Sequence, residues 1–344
     1  MKLAVVLFNL GGPDSPDAIE PFLRNLFSDP AILNVPTFVR GPLAWLIARR
    51  RAPVAREIYA KIGGRSPILE ETEAQARALE AELAARGVEA RAFIAMRCSP
   101  PDSAGAAAAI AAYQPDKIVA LPLYPQFSTT TTGSSLKAWG DAARRAGIVA
   151  PSVPVCCYPQ ARGFVTAVAE LIGQTWAQRK PGLDYRLLLS AHGLPERTIA
   201  GGDPYQWQVE QSAAAIVEAL GISGLDARVC YQSRVGPLKW IGPATDAEIR
   251  ACGTQGKAIV MVPIAFVSEH SETLVELDIE YAHLAKAAGV ADYLRVPTVG
   301  THPAFVGELA DLVERAAAST EMISDSGGRF CPAGLSGCAR EMTR

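Results

Sequence analysis

The feature that most constrains this chain is an alternation along almost its whole length. Short runs of β-branched and other apolar residues are each followed by a longer stretch with apolar side chains three and four apart. Uninterrupted apolar runs of roughly four to eight residues suit strands buried on both faces, and the longer stretches suit amphipathic helices that cover them. The strand candidates are Leu3–Asn9, Glu89–Met96, Lys117–Leu123, Val153–Cys157, Arg186–Ala191, Ala227–Tyr231, Ala258–Val267 and Ala291–Arg295. Helix candidates between them include Pro67–Arg86, Gly133–Arg145, Gly163–Ala177, Trp207–Leu220 and Glu272–Ala288. Strand, helix, strand repetition predicts an α/β protein with parallel sheets covered by helices on both sides. At 344 residues, two doubly wound Rossmann-like domains of similar size are the economical solution.

The two halves echo each other. Asn9-Leu10-Gly11-Gly12-Pro13 closes the first strand, and His192-Gly193-Leu194-Pro195 closes the strand that opens the second half. The expected division is 1–162 and 163–319, followed by a 320–344 extension that lacks helix or strand periodicity and carries Cys331 and Cys338.

Composition excludes several classes of function. Lys and Arg number 33 against 35 Asp and Glu, a net charge of −2, so there is no surplus of basic groups to neutralise a nucleic acid. Hydrophobic residues make up 49% and charged residues 20%, enough apolar surface to build a core and too little charge for disorder. No apolar stretch approaches the ~18–20 residues of a spanning helix. The opening run breaks at Gly11-Gly12-Pro13, too soon for a signal peptide, so the expected location is the cytoplasm. Seven cysteines, an odd number, argue against a secreted disulfide framework.

In open parallel sheets, ligands bind outside the carboxyl ends of the strands. Two strand tips draw attention for that reason. Arg186–Ala191 delivers His192, and Ala258–Val267 runs into Ser268-Glu269-His270-Ser271-Glu272. The chain has four histidines, and His192 and His270 lie at these tips, where a general base or a metal ligand would be useful. A hydrogen-bonded structural role is the alternative for His192, and for His283, late in a helix, the structural role is favoured. Glu269, Glu272, Glu276 and Glu280 follow at steps of three, four and four, along one helical face. They read either as a solvated face or as a file that relays protons or passes a hydrated divalent cation. The run Ser128-Thr129-Thr130-Thr131-Thr132-Gly133-Ser134-Ser135 could bind an anion or only cap a helix. Val35–Ala52 joins Phe38, Leu43, Trp45, Leu46 and Ile47 to Arg40, Arg49, Arg50 and Arg51. It suits a helix on anionic lipid, the lip of a pocket for a flat apolar ligand bearing carboxylates, or a packed surface helix with a basic end.

Several long motifs in order, LFNLGGPDSP, YAKIGGRSPI, LPLYPQFSTTTTGSS, LSAHGLPER, YQSRVGPLKWIGPATDAEI and PIAFVSEHSETLVELDIEY, resemble the ferrochelatase family. The likeness runs from about Leu3 to Leu312. It implies two chelatase-like domains with an active-site cleft between them, and insertion of Fe2+ into protoporphyrin IX to make protohaem, both the metal ion and the porphyrin being substrates. The family's essential His falls on His192 and its essential Glu on Glu272, as catalytic groups or Fe2+ ligands, with His270 beside them. Other cleft positions fall on Leu10, Tyr59, Ser66, Arg97, Trp240 and Phe266. Glu269 stands where many relatives have Asp, and Glu269, Glu276 and Glu280 would form the relay. After Met96-Arg97 this chain departs from the family, with Cys98-Ser99-Pro100-Pro101 where an aromatic and a His-Pro pair are common, so only Arg97 carries over there.

Some members carry a [2Fe–2S] cluster on a C-terminal extension. The resemblance implies ligands among Cys331, Cys338 and an internal cysteine, for which the vicinal pair Cys156-Cys157 is chosen because Thr129 occupies the position used in some relatives. Cys98, Cys230 and Cys252 are expected to be buried free thiols. Peripheral attachment to the inner membrane face through Val35–Ala52, and a homodimer, complete the expectation. Coproporphyrin as substrate, another metal such as cobalt, and a non-catalytic porphyrin or haem carrier are the rival readings.

Overall fold

The structure, a computed structural model, describes every residue except Val235, Pro237, Thr343 and Arg344. The first two fall in the motif around Tyr231–Ile249 and the last two in the expected extension, so those parts of both readings lie outside the described residues.

The first sheet is built on β1 (Leu3–Asn9), whose seven residues are all buried. It lies between β2 (Ala90–Met96) and β3 (Lys117–Pro122), with β4 (Ser152–Pro154) beyond β3, and every pairing is parallel. Helices α1 (Ile19–Ser28), α2 (Thr37–Ala60), α3 (Ile68–Ala85), α4 (Ser103–Tyr113) and α5 (Ser134–Arg145) connect and cover these strands. Sequence explains their ends: Asp102 accepts the Gly105 N–H at 2.9 Å to start α4, and α3 gives way to Gly87 at φ +76°, a backbone state that glycine adopts freely. One core cluster joins Ala4, Val6 and Phe8 to Ile110, Ile118 and Trp139.

The second half repeats this plan. α6 (Arg162–Trp176) leads to β5 (Tyr185–His192), then α7 (Glu196–Ala200), α8 (Tyr205–Leu220), β6 (Ala227–Gln232), α9 (Thr245–Thr254) and β7 (Ala258–Pro263). A π-helical segment, Glu272–Glu280, passes into α10 (Tyr281–Ala287), followed by β8 (Tyr293–Arg295) and α11 (Pro303–Ala318). The sheet order is β6-β5-β7-β8, again wholly parallel. It matches β2-β1-β3-β4 strand for strand, so the echo seen between the two sequence turns is a repeat of topology. Among the described residues no helix is long and apolar enough to cross a membrane.

The chain divides into compact units at Tyr158 and Pro159, close to the expected 162, but the later boundaries differ from expectation. Leu309–Phe330 belongs to the first unit, and the expected extension is shared, with Cys331–Cys338 in the second unit and Ala339 onward in the first. The reasons are local bonds. Arg86 pairs with Asp311 at 2.5 Å and Glu314 at 2.8 Å, Lys117 Nζ caps the Ala317 carbonyl at 2.6 Å, and Ile323 exchanges main-chain bonds with Pro154 and Cys156 beside β4. β7 also stops at Pro263, four residues short of the expected Val267, and Glu272–Glu280 is π-helical where an α-helix was expected.

Candidate active site

In the second sheet the chain passes from β5 to one side, as β6, and then returns to the other, as β7. The carboxyl ends of β5 and β7 therefore flank a topological switch point, where a crevice is available to a ligand. His192 is the last residue of β5, and Glu272 opens the π-helical segment reached through the loop after β7. Gly193 lets the chain turn at once after His192: a Cβ there would sit 2.9 Å from the Gln232 carbonyl oxygen.

The two side chains meet, with His192 Nδ1 2.8 Å from Glu272 Oε2. The same carboxylate oxygen lies 3.9 Å from His270 Nε2. Burial works against the His192 imidazolium, but the charges of Glu272 and Glu276 outweigh it, and its pKa lies above the usual histidine value. For Glu272, burial is overridden by His192, His270 and a Ser233 hydrogen bond, and its pKa lies well below the usual carboxylate range. Burial lowers the pKa of His270, whose Nδ1 is buried without a hydrogen-bond partner and whose ring packs on Phe266 with centroids 4.7 Å apart. Since Glu272 engages Nδ1 of His192, the nitrogen left to take a proton from a substrate is Nε2. The His192 side chain is 37% exposed, so a substrate can reach it.

Glu276 is the second carboxylate, held by groups that the motif reading missed. Gln232 Nε2 donates to it at 3.0 Å, the Ser233 N–H at 2.8 Å and the Tyr281 hydroxyl at 3.0 Å, and the Ser233 hydroxyl adds a further bond. Ser233 has φ +61°, a left-handed conformation uncommon outside glycine and a mark of functional positions. Burial, together with the charge of Glu272, raises the Glu276 pKa. Neighbouring carboxylates whose pKa values move apart are suited to different proton-transfer roles. Only the placement of Gln232 at a strand tip could have flagged this support in the sequence.

The four-member file is not what forms. Glu269 pairs with Arg295 at 2.5 Å and accepts the Thr298 N–H at 3.0 Å, which holds its carboxylate ionised against burial. Arg295 also grips both oxygens of Asp278 at 2.6 Å. Glu280 is exposed. The reason is geometric: equal spacing along the sequence says nothing of an arginine on β8 or of an i→i+5 helix. Glu272 and Glu276 are the pair that the fold brings together beside His192.

Trp240 and Phe266 are half-buried in this same unit, and the Trp240 Nε1 is buried without a partner. The loop bearing Trp240 pairs with the turn after His192, through Ile241 N to Leu194 O at 3.0 Å and Glu196 N to Lys239 O at 2.9 Å. Leu10, Tyr59, Ser66 and Arg97 lie in the first unit. Leu10 and Tyr59 pack in one apolar cluster with Cys98. Ser66 is buried against Gly12, where a Cβ would come within 2.6 Å of its hydroxyl. Arg97 pairs with the buried Asp29 at 2.8 Å and donates to Ser134 at 2.6 Å. In the Ser/Thr run, Ser128 accepts the Thr130 N–H at 3.1 Å as a helix cap, while the buried Thr132 and Ser135 hydroxyls have no partner. His283 is exposed, and His302 pairs with Glu170 at 3.2 Å.

All seven cysteines are free and buried. Burial pushes the thiols of Cys98 and Cys230 up to about 12, which makes them inert. Cys156 and Cys157 lie beyond the end of β4, their sulfurs 3.3 Å apart, with Ala339 packed in the same cluster. Cys331 accepts a hydrogen bond from Gln208 Nε2 at 3.1 Å. Among the described residues no three His, Cys, Asp or Glu side chains are drawn together to hold a metal ion. A [2Fe–2S] cluster requires four ligands; of the four expected, Cys156 and Cys157 belong to the first unit and Cys331 and Cys338 to the second.

The family model described as ferrochelatase matches residues 2–317. A ferrochelatase of Phenylobacterium zucineum is 56% identical over 341 residues, covering 98% of both chains. One of Caulobacter vibrioides is 54% identical over 340 residues, covering 98% of this chain and 97% of its own. Among solved structures, the sirohydrochlorin chelatase SirB from Bacillus subtilis, in complex with cobalt, aligns with a TM-score of 0.55 at 12% identity, over 92% of this chain and 96% of its own. At that identity the likeness establishes the fold alone.

Proposed function

The chain belongs to the ferrochelatase family, and from that premise we propose that His192 and Glu272 carry the metalation chemistry. The enzyme is a lyase that inserts ferrous iron into protoporphyrin with release of two protons, a step of haem biosynthesis. Coproporphyrin and non-catalytic carrier readings are not favoured by these relatives.

Metalation makes two demands. The porphyrin's two inner N–H protons must leave, and its nitrogen lone pairs, hidden in a flat ring, must turn toward the ion. Binding energy at the ring's edge can supply the bending strain, and Leu10, Tyr59, Ser66, Arg97, Trp240 and Phe266 are our candidates for that grip. His192 Nε2 accepts a pyrrole proton, and the carboxylate of Glu272 at Nδ1 stabilises the imidazolium that forms. Glu276, whose raised pKa suits it to hold a proton, takes the next place in the relay; in the alternative role, a neutral His192 with Glu272 would offer nitrogen and oxygen donors to the entering iron in place of taking the proton. The observation that carries this reading is the 2.8 Å contact between His192 and Glu272 at the switch point.

Anaerobic mixing of the protein with ferrous iron and excess protoporphyrin IX tests it. The expected result is a haem spectrum that grows past one equivalent per protein and depends on both side chains. A spectrum that stops at one equivalent would mean binding without turnover.

Two finer readings have narrower support. α2 exposes Phe38, Trp45, Leu46 and Val54 alongside Arg49, Arg50 and Arg51, and we infer that this face rests on anionic lipid. Flotation with anionic but not neutral vesicles checks it, and Trp45→Glu should abolish flotation. The [2Fe–2S] cluster rests on the resemblance and on the adjacent sulfurs of Cys156 and Cys157, and the absence of visible charge-transfer absorption after anaerobic purification would remove it.

A further inference from the structure

Gln232 ends β6 directly opposite His192 in the sheet register and is fully buried. It reaches both members of the reacting pair. Its main-chain carbonyl accepts the Gly193 N–H at 2.8 Å, which fixes the turn that follows His192. Its side-chain Nε2 donates to the Glu272 main-chain carbonyl at 2.9 Å and to Glu276 Oε2 at 3.0 Å, so both amide hydrogens are used. The first of these acceptors belongs to the residue that opens the π-helical segment and whose carboxylate meets His192.

The amide is itself oriented from behind. Ser190 Oγ on β5 donates to Gln232 Oε1 at 2.8 Å. A hydroxyl has one hydrogen to give, so the 3.1 Å contact between Ser190 and Thr245 is donated by Thr245, the first residue of α9. The series therefore runs one way, from Thr245 through Ser190 and Gln232 to Glu272 and Glu276, and its first three members are all buried. Turned over, the amide would press its oxygen on the Glu272 carbonyl, a group that can only accept. Apolar side chains of the same shape would serve the core as well as these polar ones do. What the polar series adds is a fixed place for two carboxylates.

We propose that Gln232 is a positioning residue for the reaction: oriented by Ser190 and Thr245, its amide sets the main chain of Glu272 and the carboxylate of Glu276 in place beside His192. The inference deepens the reading of His192 and Glu272 as the metalation pair and rests on it. A displacement of about 1 Å would take the Glu272 carboxylate out of hydrogen-bond range of the imidazole.

A double-mutant cycle of Gln232→Met and Glu272→Gln tests it in the full-length chain, with ferrous iron and protoporphyrin IX under anaerobic conditions. Gln232→Met keeps the reach of the side chain and removes both donors. Its kcat should fall by about tenfold or more with KM for protoporphyrin within about twofold, the pattern of a displaced reacting group. Because Gln232 acts through Glu272 and the carboxylate that follows it, the double variant should be no slower than the slower single one. Wild-type kcat in folded Gln232→Met, a loss carried by KM alone, or losses that multiply in the double variant would overturn the proposal. If Gln232→Met does not fold, Ser190→Ala, which leaves the amide without its orienting donor, takes its place in the cycle under the same criteria. Glu272→Gln alone separates the two levels: wild-type turnover there removes the functional reading, whereas its loss beside a normal Gln232→Met removes only this inference.

Discussion

β1 and β5 occupy the same place in sheets of the same order, yet one ends in Asn9 and the other in His192. The next exits also correspond. β3 leads into a π-helical turn of hydroxyl residues, Thr129–Gly133, and β7 into the π-helical segment of carboxylates, Glu272–Glu280. Asn9 is 5% exposed and spends both ends of its amide at home, on the Thr72 hydroxyl at 3.0 Å and the Leu10 N–H at 2.9 Å. His192 keeps more than a third of its side chain exposed and faces an ionised carboxylate. The same topological position is thus closed off in one sheet and chemically open in the other. A switch point supplies a place for a ligand, and the side chains at the strand tips decide whether chemistry happens there.

His192→Ala gives the sharpest form of that contrast and the largest expected effect. kcat should fall by roughly 10²- to 10⁴-fold, the usual worth of a general base, while protoporphyrin still binds in a fluorescence titration. Near-normal turnover at saturating iron would erase the distinction between the sheets. Arg295→Met comes next, because it leaves Glu269 and Asp278 without their cation. Breaking a buried ion pair costs about 3–5 kcal/mol, readable as a lower denaturation midpoint. Glu269 has a depressed pKa in the fold, so its stabilisation is present above the usual carboxylate pKa and lost as pH falls through the depressed value. The gap between Arg295→Met and the parent should therefore narrow at strongly acid pH, and a gap independent of pH would count against the pairing.

Asn9→Ala, at the equivalent tip of the first sheet, should cost about 1–3 kcal/mol of stability by leaving buried groups unpaired, with kcat within about twofold of the parent. A hundredfold loss of kcat in a well-folded Asn9→Ala would show that the first tip is chemical after all. Thr132→Val should have the smallest effect. Its buried hydroxyl has no partner, so replacing it by an isosteric methyl should change stability by less than about 1 kcal/mol, in either direction.

The architecture was legible because it depends on local signals. Apolar runs marked the strands, the rule of carboxyl ends pointed to His192 and to residues 268–272, and the family resemblance singled out Glu272 among them. What escaped depends on long-range pairing. Glu269 belongs with Arg295, a residue 26 positions on, and not with Glu272, and no spacing rule holds that information. Ser233 supports Glu276 only because its backbone adopts a left-handed state. The tail lacked periodicity and so read as an appendage, whereas two glycines far apart in the chain dock it on the loop between α7 and α8.

The acid limb of kcat/KM, measured for the parent and for Glu272→Gln, tests the central claim most directly, since it reports the base in the free enzyme. His192 has a raised pKa because Glu272 and Glu276 stabilise its protonated form, so the parent's activity should climb with pH through a value above that of an ordinary histidine. Removing the Glu272 charge should move this limb to lower pH, even as the maximum rate drops. A limb that stays in place, or shifts upward, would contradict proton acceptance by His192 under the control of Glu272.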